Sequence, residues 1–257
     1  MDSYALKLRR AEEHLRALRQ EETDYVASNP ARVIGEPDHA AGVIRLRFVV
    51  DRQPPETWGP LIGDFLFNLR ASLDHLVYQM TVRHSGGPLR HTSFPIYEVA
   101  NDYHSRRNGS PAKNSGLYKV RGIPHEAQEL VELAQPYHNK DGVRRDALWL
   151  INELNNIDKH RTIHLAVAYP YEANTTFNVP MIQESTSQGP FTNGSVIATY
   201  SVEGDSNLDE VIATTTLVSQ VVLDEGDPPI TRPLVAECQT LLDAVAHDTI
   251  PAFVDFL

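Results

Sequence analysis

Residues 162–231 form a stretch of 70 positions without a single Lys or Arg, and the stretch is dense in Val, Ile, Thr and Tyr. Those residue types suit the pleated, half-buried surface of a sheet. Residues 163–169, 176–182, 195–202 and 211–223 therefore read as strands, and turns rich in Gly, Pro, Asn and Asp separate them. Connections that short predict an antiparallel sheet. The earlier strand, 43–51, alternates Ile44, Leu46, Phe48 and Val50 with Arg45, Arg47 and Val49. It has no other partner nearby and is expected to join the same sheet.

The rest of the chain has helical texture. In 3–27 a narrow stripe of Tyr4, Leu8, Ala11, Leu15, Leu18 and Tyr25 leaves a gap at Glu22, which either lies buried or reaches water near the helix end. A wide apolar stripe from Trp58 to Met80 marks a second helix over 57–83, stopped by Gly86-Gly87-Pro88. Helices are expected at 124–134, 143–162 and, opened by Pro233, at 233–250. The fold class is α+β. A helical bundle from 1–162 and 233–257 is predicted to carry a β-rich subdomain from 43–51 and 163–224, packed as a single compact unit.

Charge restricts partners. The chain carries −11 overall, but residues 1–161 hold 22 basic against 21 acidic side chains, whereas 162–231 hold nine acids and no base. A polyanion would meet only the first part. There, residues 101–122 gather Arg106, Arg107, Lys113, Lys119 and Arg121 against Asp102 alone, in a Gly-, Ser- and Asn-rich context that reads as a basic surface loop. No DNA partner is expected. No apolar run reaches the 18 residues of a membrane span, and the N-terminal segment has no signal-peptide core. With one cysteine, Cys238, an intrachain disulfide is excluded. The expected location is cytoplasmic.

Two helical segments carry unusually many polar groups: Asn68-Leu-Arg70-Ala-Ser-Leu-Asp74-His75-Leu, and Asn152-Glu-Leu-Asn155-Asn-Ile-Asp158-Lys-His160-Arg161. Asn and Asp compete with the backbone for hydrogen bonds and are mediocre helix formers. Local choices of that kind concentrate at functional or networked sites. Arg70 and Asp74 share one face, as do Asn68, Ser72 and His75; in the second helix Asn155, Asp158 and Arg161 share a face, with His160 on the next. Packed together, the two helices would form a charge-assisted network in one cleft. Alternatively, Arg70–Asp74 is only an i,i+4 ion pair and the network fixes helix register.

Arg70-Ala-Ser-Leu-Asp-His75 resembles the Arg-x4–6-His motif of the HEPN superfamily, helical bundles of which many are metal-independent ribonucleases acting as dimers in toxin and antiviral systems. The chain also resembles a widespread bacterial family with an Asn-Leu-Arg-x-x-Leu-Asp-His-Leu helix and an Asn-x-x-Asp-Lys-His-Arg segment, here 68–76 and 155–161; that likeness brings no known activity. The HEPN resemblance implies a homodimer that cleaves RNA without a cofactor. His75 would move a proton at the 2′-hydroxyl or leaving oxygen, and Arg70 would neutralise phosphate charge. Asn68 or Asp74 would orient the imidazole. Asn155, Asp158, His160 and Arg161 would complete the site, and Arg106 and Arg107 would hold the RNA backbone.

Two other classes remain open. His160-x-x-x-His164 has the one-turn spacing of paired metal ligands, which Asp74, His75, Glu153 and Asp158 could complete. A non-catalytic dimer could instead bind a ligand or partner, with the Thr-rich segment 213–223 as a sheet edge. Cys238, on an apolar helix face, reads as a packing residue.

Overall fold

The N-terminal stripe forms helix α1, Ser3–Ala27, in a computed structural model that describes residues 2–187, 191, 193–204, 207–223, 225 and 232–257. The chain is an α+β protein with two structural units, each built from separated segments. One comprises Met1–Leu18, Gly59–Ile163 and Val235–Leu257; the other, Arg19–Trp58 and His164–Leu234. Their charges differ sharply. The first holds 17 Lys and Arg against 18 Asp and Glu, net −1, and the second 6 against 16, net −10.

The first unit is helical. Helix α2, Trp58–Ser85, buries Ile62, Phe65, Leu66, Leu69, Leu73, Leu76, Val77 and Met80, so its stripe is the core. It stops where Gly86 adopts φ +76°, open to glycine at no steric cost. Three short elements follow: α3 (Ala100–Tyr103), the two-stranded hairpin β3 (Arg106–Arg107) and β4 (Ser110–Pro111), and α4 (Gly116–Lys119). Segment 101–122 is thus not a loop. Asn108 and Gly109, both at positive φ, make the two-residue turn that Asn-Gly favours, and the Ser115 side chain caps α4 by accepting from Tyr118 N. Helix α5 is His125–Leu133, and α6 is Ala147–Asp158, begun by Asp146, whose carboxylate accepts from the amides of Leu148 and Trp149. The last helix, α7 (Leu234–Asp243), does not run on to 250 as an α-helix. A π-helix, Ala244–Thr249, and a 3₁₀ segment, Ile250–Phe256, continue it. Phe94 and Phe253 meet edge-to-face in the core, centroids 6.4 Å apart.

The second unit takes residues 19–58 rather than 43–51 alone. Strand β1, Ala31–Asp38, was not legible, because Gly35 and Pro37 interrupt it; it lies at a sheet edge, where Pro is tolerated. Strand β2, Val43–Val50, buries Ile44, Leu46 and Phe48 as its alternation predicts. Its arginines turn to β1, Arg45 to Asp38 (2.6 Å) and Arg47 to Glu36 (2.8 Å). Strands β5 (Leu165–Phe177), β6 (Met181–Thr186), β7 (Val196–Val202) and β8 (Ala213–Leu223) complete the unit. One antiparallel sheet has the order β1-β2-β7-β6, so β2 does join the later strands; β5 and β8 pair in a separate sheet. The two strands expected at 163–169 and 176–182 are instead one long β5, with bulges around Pro170, followed by β6.

Candidate functional site

Helix α2 places Arg70 and Asp74 one turn apart, and the intervening chain returns to them at Phe94. The Arg70 guanidinium donates Nη1–H to Asp74 Oδ1 (2.8 Å) and Nη2–H to the Phe94 carbonyl (2.6 Å). Asp74 Oδ1 also accepts the Phe94 amide (2.9 Å). Both polar groups of one non-helical residue are therefore satisfied by one ion pair, which anchors the Phe94-Pro95-Ile96 segment to α2. The Arg70 side chain is 15% exposed and that of Asp74 36%.

A second cation stands beside this pair. The ammonium of Lys119, last residue of α4, lies 4.9 Å from the centre of the Tyr97 ring. Among the described residues it makes no hydrogen bond or ion pair. Burial holds its pKa below the usual lysine value, the Arg70 charge adds to that, and Asp74 opposes it. Two cations thus stand near one carboxylate, which pairs with Arg70 alone, and the group carries a net positive charge. The Tyr97 hydroxyl donates to the Asn114 carbonyl and its amide to Gln135 Oε1, so the ring under the ammonium is fixed. Close in sequence, the Arg121 guanidinium stacks on Tyr118 at 3.8 Å and donates to the Arg90 carbonyl.

The other expected site residues divide. His75 is half-buried, and no described residue hydrogen-bonds or ion-pairs with its imidazole. Asn68 is buried; its Nδ2 donates to the Asp64 carbonyl (2.7 Å), and its Oδ1 lies 3.5 Å from Lys7 Nζ. Asn155 is buried on α6. Asp158 does reach α2, at Gly63: a Cβ at Gly63 would stand 2.3–2.4 Å from the Asp158 carboxyl atoms. Burial raises the Asp158 pKa, helped by the Asp64 carboxylate. Asp64 in turn acts on His14 of α1, whose pKa burial and Arg10 lower. His160 and Arg161 are exposed. Arg106 and Arg107 are exposed on the hairpin, Arg106 donating to the Gly109 carbonyl at its turn (3.2 Å).

The two polar helices consequently do touch, but their ionisable groups make two sets of contacts. Arg70 and Asp74 hydrogen-bond Phe94 and act electrostatically on Lys119; Asp158 packs against Gly63 and feels the Asp64 charge, seven residues or about 10 Å earlier along α2 than Arg70. The pair His160–His164 has no helical face to share, because α6 ends at Asp158. Among the described residues no group of three or more His, Cys, Asp or Glu side chains could hold a metal ion.

Residue-by-residue reading missed Lys119 as a site member, although the basic segment contained it. It also missed Glu132 of α5, whose Oε1 receives the Tyr137 hydroxyl (2.9 Å), His138 Nε2 (3.0 Å) and His104 Nε2 (3.3 Å). Burial would raise the Glu132 pKa, but these hydrogen bonds overcome it and lower the value. His104 and His138 are exposed and tied to this carboxylate. No helix among the described residues is long and apolar enough to cross a membrane. No family model, curated protein or solved structure matches the chain.

Proposed function

We propose that this protein binds a small phosphate-bearing anion, without chemistry, at the niche of Arg70, Lys119 and Tyr97. The reading rests on one observation: a half-buried ammonium with no hydrogen-bonding or ion-pairing group of its own, within electrostatic reach of a guanidinium whose one carboxylate partner is Asp74. Like charges held together in a partly desolvated place repel, and a bound anion converts that repulsion into attraction. The near-neutral charge of this unit permits an anion that the −10 unit would repel.

The test is thermal unfolding with inorganic phosphate or uridine monophosphate, for wild type and Lys119→Gln. A ligand at 100 times its Kd stabilises by about 2.7 kcal/mol, so the expected result is a clear rise in Tm that the variant loses. No rise at tens of millimolar, or an equal rise in both proteins, overturns the proposal.

A second reading, metal-independent RNA cleavage by a homodimer, is favoured by the unengaged His75 imidazole one residue from Asp74. It predicts cleavage of single-stranded or transfer RNA that persists in chelator and disappears in His75→Ala. Intact RNA in that assay eliminates it and leaves the binding role standing.

A further inference from the structure

The helical unit contains a concavity lined by none of the residues proposed to bind the anion. It lies where α5, the start of α6 and the chain's last turns meet, and its volume is about 390 Å³, within the range of small-molecule sites. Leu130, Leu148 and Phe253 provide apolar lining. Its ionisable lining groups are Asp146 and Asp248, with no Lys, Arg or His.

The backbone on one side is the π-helix Ala244–Thr249. One-turn π segments are rare, less stable than α-helix, and frequent at functional sites. Here the wider turn re-aims the residues that follow α7. Ala244, Asp248 and Thr249 all line the cavity, while the Thr249 hydroxyl donates to the Ala244 carbonyl (2.8 Å) across the widened turn. The two carboxylates are in different states. Asp146 is committed: Oδ1 accepts from the amides of Leu148 and Trp149, and Oδ2 from Asn139 Nδ2 (3.3 Å). Asp248 makes no hydrogen bond or ion pair with any described residue. His247, its neighbour, leans instead toward Asp243 (3.8 Å).

We propose that this cavity binds a small aliphatic amine, its ammonium on Asp248 and its hydrocarbon arm over Leu130, Leu148 and Phe253. An ammonium donates three hydrogen bonds and accepts none, matching a free carboxylate beside one that is already engaged. The apolar lining supplies affinity for the arm in proportion to the methylenes it removes from water. An anion is excluded by the charge of the lining.

Isothermal titration of the full chain with n-hexylamine, 1-hexanol and hexanoate tests this. Hexylamine is expected to bind at least tenfold more tightly than hexanol, and hexanoate not at all. Asp248→Asn should weaken hexylamine tenfold or more, and Ala252→Phe, at an exposed lining position, should block it; circular dichroism of both variants should match wild type. Lys119→Gln should bind hexylamine normally, so this site and the anion niche stand or fall separately. Equal binding of amine and alcohol, unchanged affinity in Asp248→Asn, or no binding at millimolar amine overturns the proposal.

Discussion

Asp74 shows how much one side chain can carry. It neutralises Arg70 and tempers the field at Lys119 while holding the Phe94 amide. Asp74→Ala leaves Arg70 without its carboxylate partner and Lys119 without the charge that offsets Arg70. For fully buried pairs, removing one partner costs about 3–5 kcal/mol, and partial exposure here reduces that to about 2–3 kcal/mol. Urea denaturation should show the loss, and Arg70→Met in the Asp74→Ala background should recover part of it. Glu22, the carboxylate in the first stripe, is half-buried, and burial pushes its pKa up to about 7. Its folded form holds a proton more tightly than the unfolded chain, so this stabilisation is complete below the ordinary value near 4.5 and is lost as pH rises through about 7. Glu22→Gln should therefore be more stable than wild type by about 1–2 kcal/mol at pH 8, after discounting for partial exposure, and equal to it at pH 4.5. The sequence revealed the Arg70–Asp74 pair and the odd carboxylate at 22, because both follow from helical spacing. It could not reveal Phe94 or Lys119 as their company, since those contacts span 20 residues or more and depend on how the chain returns.

At the scale of elements, close approach decides. Gly59 and Gly63, one turn apart on α2, admit the end of α6 and the chain just beyond it: a Cβ at Gly59 would stand 2.2 Å from Thr162 Cγ2, and one at Gly63 would strike the Asp158 carboxylate. Gly63→Ala gains helix propensity worth about 1 kcal/mol, yet the clash forces the helices apart. A net loss of about 1–3 kcal/mol is expected in chemical denaturation, and Asp158→Gly should relieve it in the double variant. Equal stability of Gly63→Ala and wild type would contradict the packing. Long helices were readable because their apolar faces repeat over many turns, and β2 because its alternation is clean. β1 was hidden by Pro37 and Gly35, whose edge location only the partner strand discloses. The basic hairpin went unrecognised for a different reason: with two residues on each side, its Asn108-Gly109 turn had no alternating flanks to announce it.

For the whole molecule, the dominant asymmetry is electrostatic. A net −10 on one unit and −1 on the other makes self-repulsion a burden of the β-rich part. Raising NaCl from about 20 to 500 mM shortens the Debye length from more than 20 Å to under 5 Å, and should raise the urea midpoint. A midpoint that falls with salt would show that the ion pairs of β1 and β2 outweigh the repulsion. The charge division was visible in the sequence at 161/162, because it needs only counting. That residues 19–58 belong with the acidic strands was not visible, since it depends on which edge β2 chooses. This interleaving has a practical outcome for anyone dissecting the protein. Residues 164–234 expressed alone would lack β1 and β2, exposing the flank of β7 that β2 covers and leaving a naked edge that invites intermolecular strand pairing. Cutting at any single peptide bond releases neither half intact, so a soluble acidic fragment requires 19–58 to be fused to 164–234 through a new linker.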